Sequence, residues 1–496
     1  MASSTPDVVV VDAAKSPAFL AAKSPLTGDL ENGALRAGGT PSIYSRQHLG
    51  LLAHYAAVGV VYGAVYQATY SVLNNYLQMS AVLVSTASAL VRIPRAMRWL
   101  AAIFSDCCPI FGYRRRPYML IGWGLAFVCC FIMAVPYYMD PKLRGKSLDK
   151  LTAKQLTMID LSAPDRGVKL IVLMMLANIG TVVAFGAADG YTIELAQREP
   201  EATRGTLQAQ IAGVRQIFLI LSSFLTGLAL NGVNYGGDFS WTVGFNWIMA
   251  ICATFSAVVL PLAWFCMTED KAPYTGFRDI FGYLYGFMQS QVMYQVVAYK
   301  FFRQVFSQVS FLVVIIDSVP TFLTIWNIVR SQWFWLGVPL LEGFPDTMGD
   351  FIANMFVNEI TEVGREATIM GVIISLSALG TPFGTVITKS VGSYFDIERS
   401  YIKKDTHHVR MEVSYAYIIA YAFNLASCAF VVWLPRQKAE ARELKRTGRR
   451  SQLMGTFTIT YVVFAFCWTV MTNILSLWPS TKCLRIAGGT GCKKKQ

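Results

Sequence analysis

Predominantly apolar blocks of roughly 20 residues, the length that crosses a ~30 Å hydrocarbon layer as a helix, recur along this chain and dictate its class. They include Tyr118–Tyr138, Val168–Phe185, Ile211–Leu230, Val243–Met267, Tyr415–Leu434 and Phe457–Leu477. A backbone inside lipid must satisfy its own polar groups, and helices do so within one segment. Composition agrees: of 496 residues, 54% are hydrophobic and 15% charged, whereas a soluble chain carries about a quarter charged residues. The expectation is an all-α polytopic membrane protein in a lipid bilayer.

Candidate spans fall at 50–71, 81–104, 117–138, 168–196, 206–230 and 241–267, then at 296–317, 332–361, 366–390, 413–434 and 454–478. The sequence "TEDKAPYTGFRD" (Thr268–Asp279) separates the two sets. Six helices, a linker and five more outline a major-facilitator-type, two-bundle architecture of about 11 transmembrane helices, in which two halves rock around a midplane site. The expected organisation is a disordered cytoplasmic tail (1–48), a six-helix bundle (49–267), a central cytoplasmic linker (268–295) and a shortened second bundle (296–434). A basic segment, an extra helix and a Cys-containing tail (435–496) follow. The first 48 residues are rich in Ser, Pro, Ala and Gly and lack a signal-peptide core.

The net charge of +13 resides mostly in short loops and tails, as membrane orientation requires, and no nucleic-acid module accompanies it. Clusters Arg114–Arg116 and Arg436–Arg450 fall on one side if the N-terminus is cytoplasmic. The loop Met139–Gly167 on the other side also carries six Lys or Arg, diluted by four aspartates. The plasma membrane is the expected location. The ten cysteines form no CxxC pair, which argues against a metal or redox cofactor. No phosphate loop, G-x-S-x-G elbow or HExxH helix appears, so an enzyme is not expected.

The most charged short connection is "SDCCPIFGYRRRPY", Ser105–Tyr118. Pro109 and Gly112 make it a tight turn. Asp106 at the end of one helix can pair with Arg114, Arg115 or Arg116, forming a latch that breaks in another transport state. A plain orienting arginine cluster is the simpler reading, and both can hold. Ionisable residues inside spans are costly and therefore functional candidates. Arg92, Arg95 and Trp99 lie within about 60° of one another on a helix, and snorkelling toward headgroups is their alternative role. Asp189 and Glu194 are about 140° apart; one is expected to pair with Arg215 while the other lines the cavity. Asp189 is the first choice for a proton or substrate site, and a structural ion pair is favoured for Glu194. Tyr62, Tyr66 and Tyr70 form a stripe better explained by packing than by ring stacking on a ligand. Glu359, Glu362 and Glu366 suit latch partners at a helix–loop junction. His407 and His408 are expected to be solvated.

The acid–turn–arginine sequence Ser105–Tyr118 resembles the folate–biopterin transporter family of the major facilitator superfamily. So do "ADGYTIELAQREP" (Ala188–Pro200), "RGTLQAQIAGVRQ" (Arg204–Gln216) and "NEITEVGREATIMG" (Asn358–Gly371). The tail "TKCLRIAGGTGC" (Thr481–Cys492) is similar to a protist, oomycete-like subgroup. The resemblance implies alternating-access transport of a folate or pterin anion, coupled to protons. Arg92, Arg95, Trp99, Tyr66 and Arg215 would then bind substrate, with Asp189 and Glu194 in proton coupling. Relative to that family the chain is short by one hairpin, its eighth and ninth spans. Losing two helices preserves parity, which leaves Cys483 and Cys492 outside and allows an external disulfide between them. Two rivals stand beside this reading: a glycoside or other small-solute cation symporter, whose turn is similar, and a non-transporting degenerate carrier acting as a receptor or assembly partner.

Overall fold

The computed structural model describes residues 33–135, 163–305, 311–331, 355–395, 405–428 and 437–477, less positions 78, 80, 233–234, 236–238, 356 and 393, together with single positions 334, 402, 481 and 484. Among the described residues the fold is helical, with only isolated β-bridges between loops. Cys483 and Cys492 lie outside the described residues.

The first group of helices comprises α1 (Leu49–Tyr70), α2 (Ala81–Ala96), α3 (Arg98–Cys107), α4 (Arg116–Ala134), α5 (Ala163–Ala196), α6 (Thr206–Ala229) and α7 (Phe245–Phe265). The end of α1 widens into a π-helical turn, Ser71–Tyr76. The second group comprises α8 (Phe277–Met288), α9 (Gln291–Val305), α10 (Phe311–Ile325), α11 (Glu366–Gly392), α12 (His407–Cys428), α13 (Lys438–Thr447) and α14 (Gln452–Leu477).

Five stretches among the described residues are long and apolar enough to cross a membrane: Leu49–Tyr76, Arg116–Ala134, Gly167–Ala196, Thr206–Ala229 and Phe245–Phe265. Shorter apolar helices cover Val314–Ile325, Glu366–Gly380 and Gln452–Trp468. The second expected span, 81–104, is two helices. Pro94 removes a ladder donor and crowds the preceding turn, and the chain breaks at Met97. The expected span 296–317 falls on α9 and α10, with 306–310 outside the described residues, and most of 332–361 is also outside.

Two apolar cores result. One joins α1, α2, α4, α5 and α7 around buried Trp123, Met119, Met174 and Phe245. The other joins α3, α8, α9 and α11 around Ile103, Cys107, Ile360 and Ile369. Backbones touch where α4 crosses α5: a Cβ on Gly122 would lie 2.4 Å from the Gly180 carbonyl oxygen. Small residues at such crossings let membrane helices approach closely. Helix α6 instead leaves Ile217, Ile220, Leu221, Phe224 and Leu225 exposed, a face suited to hydrocarbon rather than water.

Two expectations about connections change. Residues 33–48 do not form the disordered tail assigned to 1–48. Ile43 is buried in the first core, and the Leu35 and Arg36 N–H groups donate to the Gln197 carbonyl at 2.9 and 3.0 Å. The expected linker 268–295 contains α8, whose Ile280, Leu284 and Phe287 pack into the second core.

Candidate functional site

The Ser105–Tyr118 turn bends through positive φ at Phe111 (55°) and Gly112 (85°). This geometry brings Arg115, just ahead of α4, back onto the end of α3. Its side chain is fully buried and uses its whole fork. Nη1 donates to Asp106 Oδ1 at 2.7 Å and to Ser105 Oγ at 3.0 Å. Nε and Nη2 donate to Glu194 Oε1 on α5 at 3.0 and 2.7 Å, and Nη2 reaches Glu366 Oε2 on α11 at 3.2 Å. A planar guanidinium suits such multidentate pairing. The second Asp106 oxygen accepts the Thr368 N–H at 2.7 Å, capping the open N-terminus of α11 from another helix. Asp106 thus holds Arg115 with one oxygen and the second helix group with the other.

The neighbouring arginines do different work. Arg114 Nη1 donates to the Gly364 carbonyl at 3.4 Å, and the Arg116 guanidinium lies over the Tyr113 ring at 5.3 Å. The backbone N–H groups of Arg114, Arg115 and Arg116 converge on Glu269 at 2.6, 2.8 and 3.0 Å. Burial raises the Glu269 carboxyl above its ordinary pKa, and those three donors oppose the rise. Sequence reasoning missed Glu269. An acid at the start of the linker was the available signal, but nothing local tied it to a turn 150 residues earlier.

The same end of the molecule carries a second bridge. Arg204 Nη1 donates to both oxygens of buried Glu359, at 2.8 and 2.9 Å, and Gln208 and Asn358 exchange side-chain hydrogen bonds at 2.8 and 2.7 Å. Helix α13 braces this contact: Lys438 donates to the Arg204 carbonyl at 2.8 Å, and Arg442 pairs with Glu201 and, at 3.3 Å, with Glu359. Glu362 pairs with Arg365 at 3.0 Å and approaches Lys445 at 3.9 Å.

A second charged site lies further along the helices. Asp189 on α5 pairs with Arg98 and accepts the Tyr55 hydroxyl at 2.9 Å. Arg98 also donates to the Phe185 carbonyl at 3.2 Å, and its guanidinium lies 3.7 Å from the Phe185 ring centroid. Neither Asp189 nor Glu194 forms the expected ion pair with Arg215. Arg98 occupies Asp189 and Arg115 occupies Glu194, while the Arg215 guanidinium sits 6.0 Å from the Phe185 centroid.

Of the expected substrate face, Arg92 lies over Tyr66 at 5.5 Å, and Tyr66 stacks on Tyr62 at 5.6 Å with an interplanar angle of 4°. Tyr70 is exposed. Trp99 turns toward the second core, and its backbone N–H donates to Ser375 Oγ at 3.1 Å. Arg95 is exposed. Arg98 was missed because an unbroken helix puts it about 120° from Arg92; the break at Met97 removes that constraint. His54 was missed as well. It is buried on α1, where its Nδ1 accepts the Trp123 indole N–H at 2.8 Å.

Residues 58–139 match the model of the BT1 family, the folate–biopterin transporter family; the match includes the whole Asp106–Arg116 turn. Among curated proteins, none matches the chain. Solved structures that it resembles include a double tryptophan mutant of XylE, at 14% identity over 81% of this chain and 98% of that one, with a TM-score of 0.48. The proton:xylose symporter XylE bound to 6-bromo-6-deoxy-D-glucose aligns at 13% identity over 81% and 99%, with a TM-score of 0.48. The inward-open xylose transporter XylE from E. coli aligns at 16% identity over 85% and 96%, with a TM-score of 0.35.

Proposed function

We propose that this protein is a membrane carrier of the major facilitator type, moving a folate- or pterin-class organic anion by alternating access with proton coupling. One observation carries the mechanism: Asp106, Arg115, Glu194 and Glu366 form a buried ion network that joins the two helix groups at one end. Breaking a buried pair without replacement costs about 3–5 kcal/mol. The network therefore acts as a latch, released when binding elsewhere offsets its loss. The BT1 family match over the same turn supports the transporter class and its substrate chemistry.

The Arg98–Asp189 pair is the second working part. An anionic substrate competes with Asp189 for Arg98 and the nearby Arg215, and protonation of Asp189 frees the guanidinium for it. Tyr55 holds the acid in place, and Phe185 offers a flat surface to a ring. Arg92, Arg95 and Tyr66 extend that basic and aromatic wall. The latch end faces the cytoplasm in this reading, and the plasma membrane is the site of action.

Uptake of labelled folate and biopterin into cells lacking endogenous transport tests the proposal, with sugars and amino acids as competitors. Saturable uptake blocked by pterins and not by sugars is expected. Uptake at the vector level, with the protein confirmed in the membrane, sinks the proposal. Asp189→Asn should abolish accumulation driven by a proton gradient while sparing exchange of substrate for substrate.

A further inference from the structure

We infer that Arg36 is a positioning residue of the latch: the segment before α1 straps across the closed end and supplies the second guanidinium that lets Glu194 and Glu366 meet. This rests on reading the Arg115 network as a gate. The network holds three carboxylates, those of Asp106, Glu194 and Glu366, around one buried Arg115. Nη2 is shared by both glutamates, with Nε adding a bond to Glu194 alone, so their charges crowd each other across the contact between helix groups. Like charges at that range oppose joint ionisation. Arg36 Nη1 approaches the other oxygen of each, at 3.6 Å from Glu194 Oε2 and 3.4 Å from Glu366 Oε1. It bridges the helix groups from the solvent side, as Arg115 does from within.

The anchors of the strap explain which half it travels with. Leu35 and Arg36 donate their N–H groups to the Gln197 carbonyl, and the Gly33 carbonyl accepts from Arg204. Ile43 is buried among first-group side chains, and His48 Nδ1 lies 3.2 Å from the Tyr191 hydroxyl. These anchors all lie on the first group. Arg36–Glu366 is the strap's ion pair to the second group, so it is the contact that parts when the gate opens. Arg36 Nη1 makes no hydrogen bond there, and the side chain is 24% exposed. The interaction is electrostatic, with no hydrogen-bond geometry to lose, which suits a clasp that must release.

Cys107 supplies a native reporter, because it is buried in the apolar core where α3 meets α11. Alkylation of the purified full-length protein by N-ethylmaleimide, read at Cys107 by peptide mass spectrometry, follows opening without measuring transport. A failed uptake assay therefore leaves this test intact. Arg36→Ala should raise the Cys107 rate about 5-fold or more, the effect of roughly 1 kcal/mol on a two-state gate. Arg36→Lys should keep most of the slow rate. Combining Arg36→Ala with Glu366→Gln, which removes the surplus carboxylate, should return the rate toward that of the unaltered chain.

Cys252, buried in the first core, reports global unfolding in the same digest. If Arg36→Ala exposes it, the milder variants decide the matter: with Cys252 protected in both, Arg36→Gln should speed Cys107 alkylation and Arg36→Lys should not. An Arg36→Ala rate equal to that of the unaltered chain overturns the inference. So does a double variant as fast as Arg36→Ala alone, or an Arg36→Gln rate equal to that of Arg36→Lys.

Discussion

Arg115 can enter the network only because the residue beneath it has no side chain. A Cβ on Gly190 would stand 2.6 Å from the Arg115 guanidinium carbon and 2.8 Å from the Ala367 Cβ. Gly190→Ala should therefore destabilise the protein by about 1–3 kcal/mol through overpacking, seen as a lower unfolding temperature in detergent. Helix propensity alone predicts the opposite sign at a mid-helix glycine, so the direction of the change separates the two effects. The Asp106–Arg115 pair was legible in the sequence because both partners lie in one 14-residue turn. Glu269 and Arg98 were not, since their partners lie far off in the chain or on a face that a straight helix hides.

At the scale of elements, the loop after α5 and the segment before α11 act as two halves of a clasp, with Arg204 and Glu359 at the centre. Removing Glu359 strands the buried Arg204, so Glu359→Ala should cost about 3–5 kcal/mol; Arg204→Ala should cost less, because Arg442 stays 3.3 Å from Glu359. The double variant should cost less than their sum by up to about 3 kcal/mol, because no unpaired charge is left. A thermal-unfolding cycle over the four proteins measures the difference; strict additivity would mean that the pair contributes no coupling. Helix positions along the first group were readable from apolar length, since lipid-spanning helices need about 20 such residues. The division of the second span at Met97 was not, although Pro94 signalled a kink: a kink and a complete break share one sequence signature.

For the molecule as a whole, the all-helical class followed from hydrophobic blocks, whereas the contacts between helix groups did not. Those contacts depend on charged loops, whose partners no periodicity encodes. The same loops give stability a pH dependence. Burial raises the carboxyls of Glu199 and Glu269 above the ordinary 4.5, and N–H donors from Gly205 and Leu207 oppose the rise at Glu199. A carboxyl with a raised folded pKa contributes stability that is full below its unfolded pKa and is lost as pH rises through the folded value. Unfolding temperature in detergent should thus decline as pH rises above about 4.5 in this respect, and Glu199→Gln should flatten that decline.

The brace formed by α13 also sets an order of assembly. Arg204 leaves the ribosome well before Glu359, and Arg442 follows later still. At about 5–20 residues per second, the interval between Arg204 and its braced partner is on the order of tens of seconds. Throughout that time the first group carries uncompensated charge at one end, with its strap in place and no second group to meet. Bracing of that end belongs to the last stage of synthesis, so a chain that stops short of α13 should reach the membrane with its clasp unbraced and be the form most exposed to quality-control proteolysis.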